Sequence, residues 1–291
     1  MTSIDASELI LNEDGSIYHL NLFPEDLAST VITVGDPDRV AEVSKHFEVV
    51  EIKKGKREFI THTGWYNSQR LSVISTGIGT DNIDIVLNEL DALVNIDFKT
   101  RGEKPKHTSL KIVRIGTTGA IQKELKVDSI LASKYAVGLD GLLHYYQSET
   151  IQESDYQTAF TNQIPWPPTH PTPYVIAGDN DLLKIFKDVN LHLGITATNV
   201  GFYGPQSRVL RLPLKNPELI NSLSTFDYKN QKITNLEMET SAIYGMSKLL
   251  GHKAISLNSV VANRDNGTVS KDPKLAMKKL IVFALDKISK I

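Results

Sequence analysis

Leu71-Ser72-Val73-Ile74-Ser75-Thr76-Gly77-Ile78-Gly79 is the stretch on which the fold turns: an apolar run closed by two glycines. After it, Ile83, Leu87, Leu90 and Val94 recur at spacings of four, three and four. Strand, glycine turn and amphipathic helix thus follow one another directly. The same order comes earlier, where Val31-Ile32-Thr33-Val34 ends at Gly35 and Asp36-Pro37 reads as an N-cap with proline at the first helical position. It comes again over 110–115, which runs into a third glycine turn at Gly116-Thr117-Thr118-Gly119, and Ser129-Ile130-Leu131-Ala132 reads as one more short strand. Alternating strands and helices predict an α/β sheet. A last helix over 273–291 places Met277, Leu280, Ile281, Ala284, Ile288 and Ile291 on one core-facing stripe.

Two segments interrupt the pattern. Residues 99–108 are charged and contain Gly102 and Pro105, which reads as a surface insertion. Ile164-Pro165-Trp166-Pro167-Pro168-Thr169-His170-Pro171-Thr172-Pro173 can form neither helix nor inner strand, because proline lacks the amide donor and fixes φ. The expectation is a single domain over 1–291, with an N-terminal extension at 1–18 and the proline-rich segment as a loop within it.

Composition removes several classes. With 32 Lys plus Arg against 34 Asp plus Glu, a net charge of −2, the chain lacks the basic excess that neutralises a nucleic-acid backbone. The absence of cysteine excludes disulfides, thiolate zinc sites, iron–sulfur ligation and a cysteine nucleophile, and it suits a cytoplasmic address. Asp5, Glu8, Glu13 and Asp14 open the chain where a signal peptide would be basic. The apolar run at 280–285 is far short of the ~20 residues that cross a bilayer. Neither nucleic acid nor membrane is expected as a partner.

Chemistry is expected at the carboxyl ends of the strands, where α/β sheets gather ligands. Gly35, the free amides of the helix starting at Pro37, and Arg39 suit an anion; a surface turn with Arg39 paired to Asp36 or Asp38 is the bland reading. Arg114 ends a buried strand and needs a partner, either a phosphate or an internal carboxylate, with the Thr117 hydroxyl close by. Lys53-Lys54-Gly55-Lys56-Arg57 reads as a solvated turn in which only Arg57 is of interest. Glu237 and Glu239 precede a helix that Gly251 ends; they suit capping, or diol binding by Glu239. Gln206 and Arg208, two apart and on one side of an extended segment, suit a planar heterocycle, with Phe202 stacking on it. A surface turn is again the alternative.

In order along the chain, Gly35-Asp36-Pro37-Asp38-Arg39, Arg57-Glu58-Phe59, Ser75-Thr76-Gly77-Ile78-Gly79, Arg114-Ile115-Gly116-Thr117-Thr118-Gly119-Ala120-Ile121-Gln122 and Glu237-Met238-Glu239 resemble the uridine phosphorylases of the nucleoside phosphorylase-I superfamily. The resemblance implies a single α/β/α domain around a central mixed, partly barrel-like sheet, assembled as dimers or trimers of dimers. It implies reversible phosphorolysis of uridine, with inorganic phosphate as co-substrate and no organic cofactor. Phosphate would be held by Gly35, Arg39, Arg114 and Thr117, with Arg57 supplied by a neighbouring subunit. Ribose would meet Glu237, Met238 and Glu239, with His19 of the neighbour at the 5′-hydroxyl. The base would meet Phe202, Gln206 and Arg208, with Arg264 orienting the loop. Asn263-Arg264 stands where purine-specific relatives carry an aspartate, which favours uridine. A purine nucleoside phosphorylase and a non-catalytic nucleoside-binding protein are the alternatives. With Asn82 at a ligand position of the intersubunit monovalent cation that the family can hold near Glu58, no metal is expected.

Overall fold

The computed structural model describes residues 3–290. β1 (Thr30–Val34) leads into α1 (Pro37–Ser44), whose N-cap Asp36 accepts from the Asp38 amide. β2 (Val49–Lys56), β3 (Phe59–Tyr66) and β4 (Gln69–Ser75) form an antiparallel meander. The stretch at 53–56 is therefore edge strand and not a solvated turn. Two of its three lysines have partners that hold them along the strand: Lys54 Nζ reaches Asp26 Oδ2 at 2.6 Å, and Lys56 Nζ donates to Asn12 Oδ1 and the Tyr18 carbonyl. Lysines also blunt a sheet edge against unwanted pairing.

After β4, Gly79 caps α2 (Thr80–Asn95) at φ +99°, a backbone conformation that a side chain would strain. Ile83, Leu87 and Leu90 are buried as the spacing predicts, and Val94 is half-buried. The short hairpin β5 (Ile96–Asp97) and β6 (Gly102–Glu103) occupies part of the 99–108 insertion. From it Arg101 donates to the carbonyls of Ile4, Asp5 and Leu9, so the insertion clasps the N-terminal segment, whose Leu9 and Ile17 are buried.

The remaining elements are β7 (Lys111–Ala120), β8 (Ile130–Gly138), α3 (Ser154–Gln163), β9 (Tyr174–Ala177), α4 (Asn180–Phe186), β10 (Leu191–Thr198) and α5 (Leu219–Thr225). Then come β11 (Asp227–Tyr228), β12 (Gln231–Glu237), α6 (Thr240–Leu249), β13 (Lys253–Asn263), β14 (Thr268–Val269) and α7 (Pro273–Ile288). The expected stripe of α7 is buried from Met277 to Ile288; Ile291 lies outside the described residues. The third glycine turn does not exist. β7 continues through Gly116-Thr117-Thr118-Gly119, paired with β13 as far as Ala120. Gly116 serves a close approach instead, since a Cβ there would sit 2.1 Å from Arg114 Nη1.

The main sheet runs β11-β12-β10-β8-β13-β7-β1-β4-β3-β2. β12 also pairs antiparallel with β7, through Asn235 with Ala120 and Leu236 with Gly119. The strands β7, β13, β8, β10 and β12 thereby close a ring, while β1, β4, β3 and β2 extend as an open wing. Pairing is parallel between β1 and β4, β1 and β7, and β7 and β13, but antiparallel between β8 and β13. This is the mixed, partly barrel-like sheet expected above. On one face α2 and α6 bury Ile83, Val86, Ile243 and Met246; on the other, α1, α4 and α7 bury Val40, Phe186 and Leu280. A third apolar cluster, with Phe160 and Phe226, sits under α3 and α5. Among the described residues no helix is long and apolar enough to cross a membrane.

Candidate active site

A cavity of about 720 Å³ opens at the carboxyl ends of β1, β4, β7 and β12. That size suits a small ligand. Gly35 and Arg39 line it from the first βα turn, and Gly77 and Ile78 from the turn after β4. Arg114, Gly116 and Thr117 project from β7, Glu237, Met238 and Glu239 follow from β12, and Phe202, Gln206 and Arg208 come from the loop after β10. Alternation along β7 puts 114 and 116 on one face, and the vacant side at Gly116 lets the guanidinium lie back over the strand.

Arg114 is the electrostatic centre. Its Nη2 donates to Glu239 Oε2 at 2.6 Å and lies 3.1 Å from Glu237 Oε2, while Nη1 donates to Asn258 Oδ1 at 2.6 Å. The internal-carboxylate reading of Arg114 is thus met in this structure, at a residue that also faces the cavity. Burial alone would weaken the Arg114 charge, but the two carboxylates reverse that and hold it above the usual arginine value. Two acids share this one cation. Burial, with Glu239 adding to it and Arg114 opposing, therefore raises the Glu237 carboxyl. Glu237 also caps α6, accepting from the amides of Glu239 and Thr240 and from Thr198 Oγ1. Glu239 Oε1 accepts from the Gly79 amide, tying the β4 turn to the β12 end. Arg39 is half-buried, and desolvation, opposed by Asp36, lowers its pKa.

The base-side loop is not extended as expected. Gly204–Gln206 is a turn of 3-10 helix, and Ser207 has φ +52°. The helical turn still brings the two side chains together: Arg208 Nη1 donates to Gln206 Oε1 at 2.6 Å and to the Phe202 carbonyl, with its guanidinium 3.8 Å from the Phe202 ring centre. Burial and the nearby Arg264 bring the Arg208 pKa down to about 10, which leaves it cationic at neutral pH.

Three predicted site residues lie outside the cavity lining. Arg264 donates to the carbonyls of Gln206 and Ser207, so it holds the loop from behind. Arg57 is exposed at a turn with φ +56°. The Glu89 carboxylate on α2 accepts from the amides of His19 and Leu20 and from His19 Nδ1 at 2.6 Å. A carboxylate only accepts, so Nδ1 carries the proton and Nε2 is the ring's acceptor.

Sequence reasoning missed Asn258, which orients Arg114. Only the three-dimensional pairing of β7 with β13 brings Asn258 into view. Glu58 and Asn82, named above only in connection with a cation, line the cavity, and Asn82 Nδ2 donates to Glu58 Oε1 at 3.3 Å. A further cluster, Asp91, His107 and His252, has the residue types of a metal site. Its chemistry differs: His252 Nδ1 accepts the Leu110 amide, so the proton sits on Nε2, which faces Asp91 Oδ1 at 3.3 Å. A protonated nitrogen offers a metal no lone pair.

A cavity that gathers two arginines, two carboxylates and an amide–guanidinium pair suits a small anion beside a polar molecule. Residues 29–284 match the phosphorylase superfamily, and the chain belongs to that family. It is 30% identical over 256 residues to a uridine phosphorylase of Thermococcus kodakarensis, covering 87% of this chain and 79% of that one. To a uridine phosphorylase of Haemophilus influenzae it is 28% identical over 279 residues, covering 92% and 97%. The crystal structure of a Trypanosoma brucei nucleoside phosphorylase that shows uridine phosphorylase activity superposes with a TM-score of 0.88 at 28% identity, covering 98% of this chain and all of that one.

Proposed function

We propose that the protein catalyses the reversible phosphorolysis of uridine to uracil and ribose 1-phosphate. One observation carries the reading: a single cavity is lined by Arg39, Arg114, Thr117 and Glu239 together with Gln206 and Arg208. Gly35, Arg39, Arg114 and Thr117 hold inorganic phosphate, the co-substrate, and Met238 and Glu239 hold the ribose while Glu237 fixes the turn that presents them. A phosphate oxygen attacks the anomeric carbon, the N-glycosidic bond breaks, and its electron pair leaves with the base. The arginines act by positioning a dianion that water would otherwise solvate. Arg208 and Gln206 hydrogen-bond more strongly as charge builds on the departing uracil, which favours the transition state over the substrate. The chemistry needs no organic cofactor and no metal.

His19 and Arg57, which lie outside the cavity of their own chain, reach the site of a neighbouring copy in this reading, so the active species is a homodimer or a trimer of dimers. A cytoplasmic address is part of it, in keeping with a chain that has no cysteine. The test is product release from uridine and inosine, each with and without phosphate. Uracil formed only with phosphate, with little hypoxanthine, supports the proposal; preferential hypoxanthine release reassigns the base, and no release from either leaves a nucleoside-binding protein.

A further inference from the structure

A second cavity, of about 780 Å³, lies on the far side of the base loop. Trp166 and Pro167 of the proline-rich loop form one wall, and Leu210, Leu212 and Leu214 form another. Leu210 and Leu212 are 76% and 79% exposed, so none of the described residues covers this apolar surface. Trp166 is fixed, its Nε1 donating to the Pro171 carbonyl and its ring set edge-on to Phe160. Every charged side chain in the lining is basic, namely Arg208, Arg211 and Lys215. Arg211 has no hydrogen bond or ion pair among the described residues. Arg208 also lines the first cavity, and so it forms part of the partition between the two.

Apolar walls with cations that have no carboxylate partner select a ligand that has both a hydrocarbon body and an anionic head. A small hydrated anion such as phosphate gains nothing from leucines and an indole. We propose that this cavity binds an amphipathic monocarboxylate, with its hydrocarbon between Trp166 and the leucines and its carboxylate on Arg211 and Arg208. The argument does not rest on the phosphorolysis reading, although the two cavities share Arg208.

The cavity carries its own reporter, because Trp65 and Trp166 are the only tryptophans. In a Trp65→Phe protein, Trp166 emission is followed during titration with octanoate, 1-octanol and inorganic phosphate. The expected result is a saturable blue shift with octanoate, half-saturating at about tenfold lower concentration than 1-octanol, and none with phosphate. Arg211→Glu should raise the octanoate half-saturation by about tenfold or more, and Leu212→Asp should abolish the shift at unchanged assembly mass. Equal response to the alcohol and the acid, no response to either, or indifference to Arg211→Glu would overturn the proposal. A drop in light-scattering mass for Leu212→Asp would overturn it too, by showing the face to be an interface between copies.

Discussion

Arg114 Nη2 and Glu239 Oε2 meet at 2.6 Å across 125 residues of sequence, both buried. Removing one member of a buried pair strands the other's charge, at a cost of about 3–5 kcal/mol. Arg114→Ala would leave two carboxylates facing each other and should fall in that range by urea denaturation. Glu239→Gln should cost clearly less, because Glu237 at 3.1 Å still neutralises the arginine. Equal losses from the two changes would contradict this account.

Gly116→Ala tests the close approach separately. The new methyl must displace the Arg114 guanidinium, which is packed in place, and overpacking of this kind costs ~1–3 kcal/mol. The enzyme should show a lower Tm and a raised KM for phosphate, with the KM for uridine less affected.

On the base side, Arg208→Ala should lower kcat for uridine by up to about a hundredfold, the worth of one donor to a developing anion. A nucleoside with a better leaving group should lose far less. Arg264→Ala, which frees the loop without removing a donor to the base, should raise KM for uridine while leaving that for phosphate alone.

His46 and His62 predict a pH dependence of stability. Burial holds both below the ordinary histidine value, with Lys45 and Lys53 respectively adding to it, and His46 Nε2 is buried without a hydrogen-bond partner. The unfolded chain takes up protons at about pH 6.5, whereas the folded chain resists until lower pH. Stability is therefore full above that value and is lost as pH falls through the lowered folded values. Tm measured between pH 8 and 5 should decline on the acid side, and His46→Gln with His62→Gln should flatten the decline.

Subunit mixing addresses the shared site. His19→Ala and Arg39→Ala proteins should each be nearly inactive, yet co-refolded random dimers should regain about a quarter of the sites, since each mixed dimer holds one intact pair. No gain over the separate proteins would place His19 outside the neighbour's site.

The strand–turn–helix order and the burial of Ile83, Leu87 and Leu90 were legible in the sequence because both are local periodicities. Misreadings arose where a residue answered to a distant partner. Gly116 looks like a turn glycine in the sequence because its true neighbour, the Arg114 side chain, is drawn back over it by Glu239 and Asn258. Lys54 and Lys56 look solvated in the sequence because their partners Asp26, Asn12 and Tyr18 are far away along the chain. Gln206 and Arg208 do converge, through a helical turn and not through strand alternation.

The pairing of β12 with β7 has a consequence for biosynthesis. The ring cannot close until residues near 236 have left the ribosome, so an emerging chain carries Arg114 on a strand whose later partners, β12 and β13, do not yet exist. Contacts of such sequence separation form slowly. Arg114 therefore meets its carboxylate partners, and β7 its far edge, only after most of the chain has been made.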